Sequence, residues 1–240
     1  MTNLAMAKII KLDISDQRMD DVPVFGNPIQ QLIMVRASGN LKAVLDQVSR
    51  DVSALQRVNV SACSLGTLNL DSLCSVIKTI YSFEAANMSG VDAGSMTAIL
   101  HILYEKCRDI ELGGVFLKDR DHGFFSIFSK FKSLETLSLA FWSGLTSDEL
   151  IHLPKSIKEL NLAGATVDSF SFLKGLNALV HLDLDSLIPL SSGAQDSLVE
   201  ALSGRHGLRI RVNMNRLPLE RALSVDCMDR LSAGHGIEFY

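Results

Sequence analysis

Leu134-Glu-Thr-Leu137-Ser-Leu139 is the most informative segment of the sequence, because its pattern of apolar residues returns at regular intervals along the chain. Ile157-Lys-Glu-Leu160-Asn-Leu162 and Leu179-Val-His-Leu182-Asp-Leu184 repeat it closely. In each copy the fourth and sixth residues are apolar and the fifth is polar, which is typical of a short strand with one buried face. Three close copies indicate an internal repeat, the first feature to establish in any sequence.

Looser copies extend this repeat toward both ends of the chain. The fourth position of each copy serves as its anchor, and the spacing of successive anchors runs from 22 to 27 residues. That spacing lies within the range of about 20–29 residues of repeats that pair one strand with one short helix. The predicted anchors are Ile10, Leu32, Val58, Phe83, Ile110, Leu137, Leu160, Leu182 and Leu208.

The segments between the strands read as short helices that return the chain to the start of the next strand. Ser147 followed by Asp148 and Glu149 is a typical helix start, and Gly204 a typical stop. The predicted return helices are Leu41–Val52, Asp71–Ile80, Gly94–Cys107, Phe124–Phe131, Ser147–Leu153, Phe170–Leu176 and Ala194–Leu202.

On these repeats the chain resembles the leucine-rich-repeat superfamily over nearly its whole length. Leu137–Leu150 is similar to the cysteine-containing subtype of F-box substrate receptors, and Cys63 occupies that subtype's cysteine position. The degenerate repeats most resemble the cysteine-containing and ribonuclease-inhibitor-like subtypes. The usual ninth-position ladder of Asn or Cys is almost missing, and we expect no F-box ahead of the repeats. The resemblance implies an α/β solenoid shaped as a horseshoe, with a parallel sheet on the concave face and short helices on the convex face.

We expect residues 1–240 to form a single domain of about nine repeats. Its first unit lies near residues 7–28, and a cap near residues 214–240 covers the exposed end of the core. Within that cap the sequence predicts a helix around Leu219–Leu231 and a last strand at Ile237–Tyr240.

Composition and charge exclude several classes of partner. The net charge is −4 and is spread evenly, so no region has the basic excess that nucleic-acid binding requires. No apolar run is long enough for a membrane span. The four cysteines are scattered and favour reduced thiols, and no secretory signal is evident. We therefore expect a cytoplasmic protein, with export by a signal-peptide-independent route as the alternative.

Catalytic and metal-binding patterns are weak. The sequence has no glycine-rich phosphate loop, no GxSxG and no HExxH, so we expect neither an enzyme nor a cofactor. His181, Asp183 and Asp185 alternate along one strand and suggest a metal site, but these are the outward positions where the repeat pattern itself places polar residues. We therefore predict no metal.

The outward third, fifth and seventh positions of each strand define the predicted binding face. This face is acidic in its centre and basic at its C-terminal end, which suits a protein partner with a basic surface. The predicted partner-binding residues are Arg57, Glu84, Asp109, Glu111, Glu159, His181, Asp183, Asp185, Arg209 and Arg211. Arg205, Arg216 and Arg221 extend the basic end.

Two groups of aromatic residues complete the analysis. Phe141 and Trp142 are adjacent after a strand, so at least one of them is exposed, and both are candidate aromatic anchors for a partner. Phe124, Phe125, Phe128 and Phe131 have helical spacing, which favours a core-facing stripe over a sticky patch. Together these features predict a non-catalytic interaction scaffold, an adaptor or an effector. The alternative is a structural subunit of a larger complex, and the oligomeric state is left open.

Overall fold

Short parallel strands recur along the chain. The structure is a computed structural model, and it describes residues 11–22, 29–117, 119–121, 123–185, 190–212, 223–235 and 237–240. In chain order the strands are β1 (Lys11–Asp13), β2 (Arg18–Met19), β3 (Gln31–Ile33), β4 (Ser38–Gly39), β5 (Arg57–Asn59), β6 (Ser82–Glu84), β7 (Asp109–Glu111), β8 (Thr136–Ser138), β9 (Glu159–Asn161), β10 (His181–Asp183), β11 (Arg209–Arg211) and β12 (Glu238–Phe239).

Within the described residues, ten of these strands form one parallel sheet, and β2 and β4 pair separately. The large sheet follows chain order from β1 through β3 and β5 to β12. Leu137 lies opposite Ile110 on one side and Leu160 on the other, so the anchors stay aligned from strand to strand. The predicted solenoid of parallel strands is confirmed.

The first and last anchors of the prediction were wrong by two residues. Ile10 lies outside the described residues, and Leu12 is the residue that pairs with Leu32. At the other end Ile210, and not Leu208, pairs with Leu182. A shift of two residues keeps every side chain on its own face, so Arg209 and Arg211 still project outward.

Helices and turns connect the strands on the opposite side of the core. The α-helices are α1 (Leu41–Val48), α2 (Leu65–Leu68), α3 (Leu70–Val76), α4 (Ala93–Leu103), α5 (Ser147–Leu150), α6 (Ser192–Ala201) and α7 (Val225–His235). Three further segments are 3-10 helices: Ile77–Thr79, Phe124–Lys130 and Ser171–Gly175. Each predicted return helix is therefore present, but the bounds differ: most are shorter, the predicted Ala194–Leu202 helix begins two residues earlier, at Ser192, and two are 3-10 helices.

Side-chain caps fix where several of these helices begin. The side chain of Asn40 accepts a hydrogen bond from the amide of Ala43, and Asp92 caps α4 in the same way. Thr146 and Glu149 form a capping box at α5, in which each side chain bonds the other's backbone amide. These contacts satisfy amides that the first turn leaves unpaired.

The core lies between the sheet and the helices. From β3 to β11 the fourth-position anchors and the sixth-position residues are buried, as in Leu137 and Leu139, whereas the first anchor, Leu12, is half-buried. The stripe predicted at Phe124, Phe125, Phe128 and Phe131 is also buried and packs in edge-to-face and stacked contacts. The core-facing interpretation of these four rings is confirmed.

The predicted C-terminal strand and helix are both present, but the helix has different bounds: Leu223 and Ser224 are not helical, and it ends four residues beyond Leu231. β12 pairs in parallel with β11, so the predicted last strand is confirmed. Helix α7 covers Val225–His235, and the predicted helical residues 219–222 lie outside the described residues.

In the large sheet, every described strand-to-turn junction from β1 to β9 contains a left-handed residue at the eighth position of the repeat. Its φ lies between 53° and 68°, and its amide donates to the seventh-position carbonyl of the next repeat, as Ala62 does to Ala86 at 2.7 Å. The residues at this position are Asp16, Arg36, Ala62, Asn87, Gly114, Phe141 and Gly164. Glycine, Asn and Asp adopt this conformation most readily, so Arg36, Ala62 and Phe141 are the least suited to it.

Candidate functional site

The concave face of the sheet carries the third- and fifth-position side chains of the strands. Asp109, Glu111, His181 and Asp183 are half-buried there, whereas Glu159 is exposed. Arg209 and Arg211 are also exposed, at the C-terminal end of the sheet. The structure thus places the predicted partner-binding residues along one face, with the acidic and basic groups in the predicted order.

Fifth-position side chains also have a local structural role. The oxygens of Asn59, Glu111, Asn161 and Asp183 each accept a hydrogen bond from the amide two residues further on, at 2.6–2.9 Å. These bonds satisfy backbone donors where each strand ends. Carboxylate and amide side chains therefore recur at this position partly because they cap the strand.

Three ion pairs neutralise part of the acidic face. Arg57 pairs with Glu84, the side chain that also accepts from Asn59 at 2.5 Å. Arg211 pairs with Asp183 at 3.1 Å, and Arg209 pairs with Glu238 at 3.1 Å. Among the described residues Asp109, Glu111 and Glu159 have no ion pair. In the part of the chain that the structure describes, the carboxylates of the predicted face without an ion pair therefore lie on β7 and β9, a smaller region than the sequence predicts.

A shallow depression of about 410 Å³ lies over this region. Its lining combines carboxylates with small polar side chains: Glu111, Thr136, Ser138, Glu159, Asn161, His181, Asp183, Arg211 and Tyr240 contribute polar groups. In the part of the chain that the structure describes, no three His, Cys, Asp or Glu side chains are placed to hold a metal ion. The polar groups suit a cationic or hydrogen-bonding ligand.

The basic end of the face is smaller than the arginine series in the sequence predicts. Arg205 donates to the carbonyls of Leu176 and Leu173 at 2.7 and 2.5 Å, so it caps the neighbouring 3-10 helix. Burial lowers the pKa of its guanidinium. Arg216 and Arg221 lie outside the described residues. Arg209 and Arg211 are the arginines of that series that the structure places on the concave face.

Trp142 is a core residue, which corrects its assignment as a candidate anchor. Its side chain is 3% exposed, and the indole N–H donates to the carbonyl of Leu112 at 2.7 Å. Cys63, at the same ninth position, donates its S–H to the equivalent carbonyl of Met34 at 2.6 Å. Trp142 thus takes the structural role of the cysteine, which the apolar ninth-position residues of other repeats cannot take.

Phe141 is the exposed member of the aromatic pair, because the left-handed backbone at the eighth position turns its ring outward. It is 70% exposed, as is Phe116 of the preceding repeat. Both rings line a cavity of about 410 Å³ beside Arg120, at the edge where the strands end. Phe116 is not among the predicted aromatic anchors, although Val115 and Phe116 are adjacent apolar residues after a strand, as Phe141 and Trp142 are.

Comparisons with known proteins identify the fold. No protein-family model matches the sequence, and no curated protein matches it. Among solved structures, an internalin from Listeria monocytogenes superposes with a TM-score of 0.55 over 90% of this chain, at 13% sequence identity. The chain has the leucine-rich-repeat fold. A leucine-rich-repeat protein from Leptospira interrogans matches 84% of the chain at 13% identity, with a TM-score of 0.49.

The leucine-rich-repeat solenoid of this chain spans 55% of the matched internalin structure and 48% of the Leptospira one. The parallel sheet with its short helices, together with the match to the internalin structure, confirms the predicted α/β repeat architecture. Within the described ranges, no helix has the length and apolar character needed to cross a membrane.

Proposed function

We propose that this leucine-rich-repeat chain is a non-catalytic interaction scaffold, an adaptor or an effector, that binds a protein partner through its concave face. The observation that carries the proposal is the cluster of Asp109, Glu111 and Glu159, which has no ion pair among the described residues. Carboxylates held on one sheet without a counter-ion attract and orient a basic surface. The partner therefore presents basic side chains, and its binding weakens as salt rises. Location in the cytoplasm remains a prediction.

A pair of charge-reversal variants tests this proposal. Glu111→Lys with Glu159→Lys reverses the concave cluster without touching Asp183, which Arg211 and a backbone amide already engage. Asp148→Lys with Asp229→Lys is the matched control, because both aspartates are exposed on helices of the convex side. Each pair changes the net charge from −4 by four units toward neutral.

The expected result is a protein captured by the wild type and by the convex variant and lost by the concave variant, with all three chains folded by circular dichroism. The affinity measured with the purified partner should fall at least tenfold for the concave variant. Equal loss of the partner by the concave and convex variants would show that binding depends on the net charge of the chain and not on the concave face. Equal retention would place the interface elsewhere.

A second candidate function is a subunit of a larger assembly, and the exposed rings of Phe116 and Phe141 favour it. Large exposed aromatic residues are typical of interfaces, and neither ring is needed to fill the core. Light scattering on the wild type and on a Phe116→Ser, Phe141→Asn variant tests this candidate. Self-association or aggregation that the variant abolishes would support an assembly subunit, and a monomer in both cases would contradict it.

A further inference from the structure

A buried hydroxyl lies at the floor of the acidic depression. Ser138, at the fifth position of β8, is 4% exposed, and its Oγ has no partner among the described residues. Its lateral neighbours in the sheet are Glu111 on β7 and Asn161 on β9. Both neighbours bond the amide two residues on, whereas Ser138 makes no such bond. Because buried polar groups are nearly always paired, this hydroxyl indicates a partner that comes from outside the chain.

Two carboxylates flank this hydroxyl on the strands to either side of β8, one level with Ser138 and the other level with Thr136. Glu111 and Glu159 belong to β7 and β9, and both line the depression together with Thr136 and Ser138. We name these four residues the β8 notch. Its two carboxylate-bearing strands are separated by two strand spacings, about 9–10 Å. Neither carboxylate has an ion pair among the described residues. The small side chains of β8 leave room between them.

The same sheet shows how such carboxylates bind cations. Arg57 pairs with Glu84 on the adjacent strand, and Arg211 pairs with Asp183 on its adjacent strand. In both pairs a fifth-position carboxylate holds a guanidinium that extends across the concave surface. The β8 notch has the same type of carboxylate, Glu111, but its strands supply no arginine.

We propose that the β8 notch binds an arginine side chain of the protein partner. The guanidinium donates to the carboxylates of Glu111 and Glu159, and the Oγ of Ser138 accepts a further N–H as the part-exposed side chains of Glu111 and Asn161 move apart. A guanidinium has five donors in one plane and can bridge acceptors on both sides of the notch, whereas a lysine ammonium is a compact point charge. This inference rests on the proposed function, since it names the group by which the partner is recognised.

Titration of the full chain with N-acetyl-arginine amide tests the notch directly. We expect saturable shifts of the backbone amide signals of Gly113, Ser138 and Asn161 in two-dimensional nuclear magnetic resonance spectra. The neutral isostere N-acetyl-citrulline amide should leave these signals unchanged, and N-acetyl-lysine amide should bind at least threefold more weakly. Equal shifts with citrulline, equal binding of lysine, or shifts spread over all acidic surfaces would overturn the proposal.

Three variants separate recognition from a general charge effect. Glu111→Gln and Ser138→Ala should each weaken arginine binding at least threefold. Glu135→Gln, which removes a carboxylate already paired with Lys158 outside the notch, should leave it unchanged. Ser138→Ala should also unfold at the same or higher urea concentration than the wild type, because it removes an unsatisfied hydroxyl. Retained arginine binding in both notch variants would refute the assignment.

The outcomes also separate this inference from the proposed function. A partner that is lost on reversal of Glu111 and Glu159 but is bound equally by Ser138→Ala and Glu111→Gln would refute the arginine notch and leave the scaffold intact. Arginine amide bound in the notch, with protein capture unaffected by the reversal, would refute the concave scaffold alone.

Discussion

Ala62→Gly should stabilise the protein, although alanine-to-glycine changes usually destabilise. Ala62 has a φ of 57°, and its methyl group is exposed, so its removal costs no buried area. The left-handed conformation costs a residue with a Cβ about 1–2 kcal/mol. The greater freedom of glycine in the unfolded chain offsets about 0.4–1 kcal/mol of this. The net expectation is a gain of about 0.5–1 kcal/mol in the free energy of unfolding.

Urea unfolding followed by circular dichroism measures this gain, which corresponds to a rise in Tm of roughly 1–4 °C for a chain of this size. Ala43→Gly in helix α1 is the matched control and should lose about 0.5–1 kcal/mol, as glycine does in helices. Gly164→Ala is the reverse change at the same repeat position. Its φ is 66°, and a new Cβ would lie 2.5 Å from the ring of Phe141, so it should destabilise. Ala62→Gly destabilising as much as Ala43→Gly would refute the argument.

Two further substitutions and one labelling experiment test other parts of the core. Trp142→Phe keeps most of the ring but leaves the carbonyl of Leu112 without its indole donor, so the free energy of unfolding should fall by about 1–3 kcal/mol in urea titrations. Arg205→Met removes two hydrogen bonds to the end of the Ser171–Gly175 helix, so the free energy of unfolding should fall by about 1–3 kcal/mol in the same urea titrations. An unchanged free energy of unfolding would show that the two carbonyls find other donors. Burial raises the pKa of the Cys107 thiol to about 12. A thiol reagent at pH 8 should therefore label Cys74, the least buried cysteine, first and Cys107 only after unfolding. Rapid labelling of Cys107 in the folded chain would contradict its burial.

The repeat could be predicted from the sequence because its period fixes both the face and the neighbour of each strand. The ends were placed less well. Leu208 and Ile210 are both apolar and two residues apart, so alternation gives both the same face and cannot choose between them. The choice depends on lateral pairing with Leu182, which is a property of the folded sheet.

The candidate site was predicted in outline but not in its charge balance. The outward positions follow from strand alternation, but the pairs of Arg57 with Glu84 and of Arg211 with Asp183 depend on how long side chains lean across strands. The sequence also shows that Phe141 and Trp142 are neighbours, so that at least one is exposed, but it does not show which one. The left-handed φ of 63° at Phe141 makes that choice.

Site-specific photocross-linking tests the concave-face scaffold most directly. Thr136 lies half-buried between Asp109 and Glu159 in the acidic part of the sheet, whereas Asp148 lies exposed on the convex side. A photoreactive phenylalanine at position 136 should cross-link a partner protein, and the same group at position 148 should not. Cross-links from position 148 alone would place the interface on the convex side and contradict the concave-face scaffold.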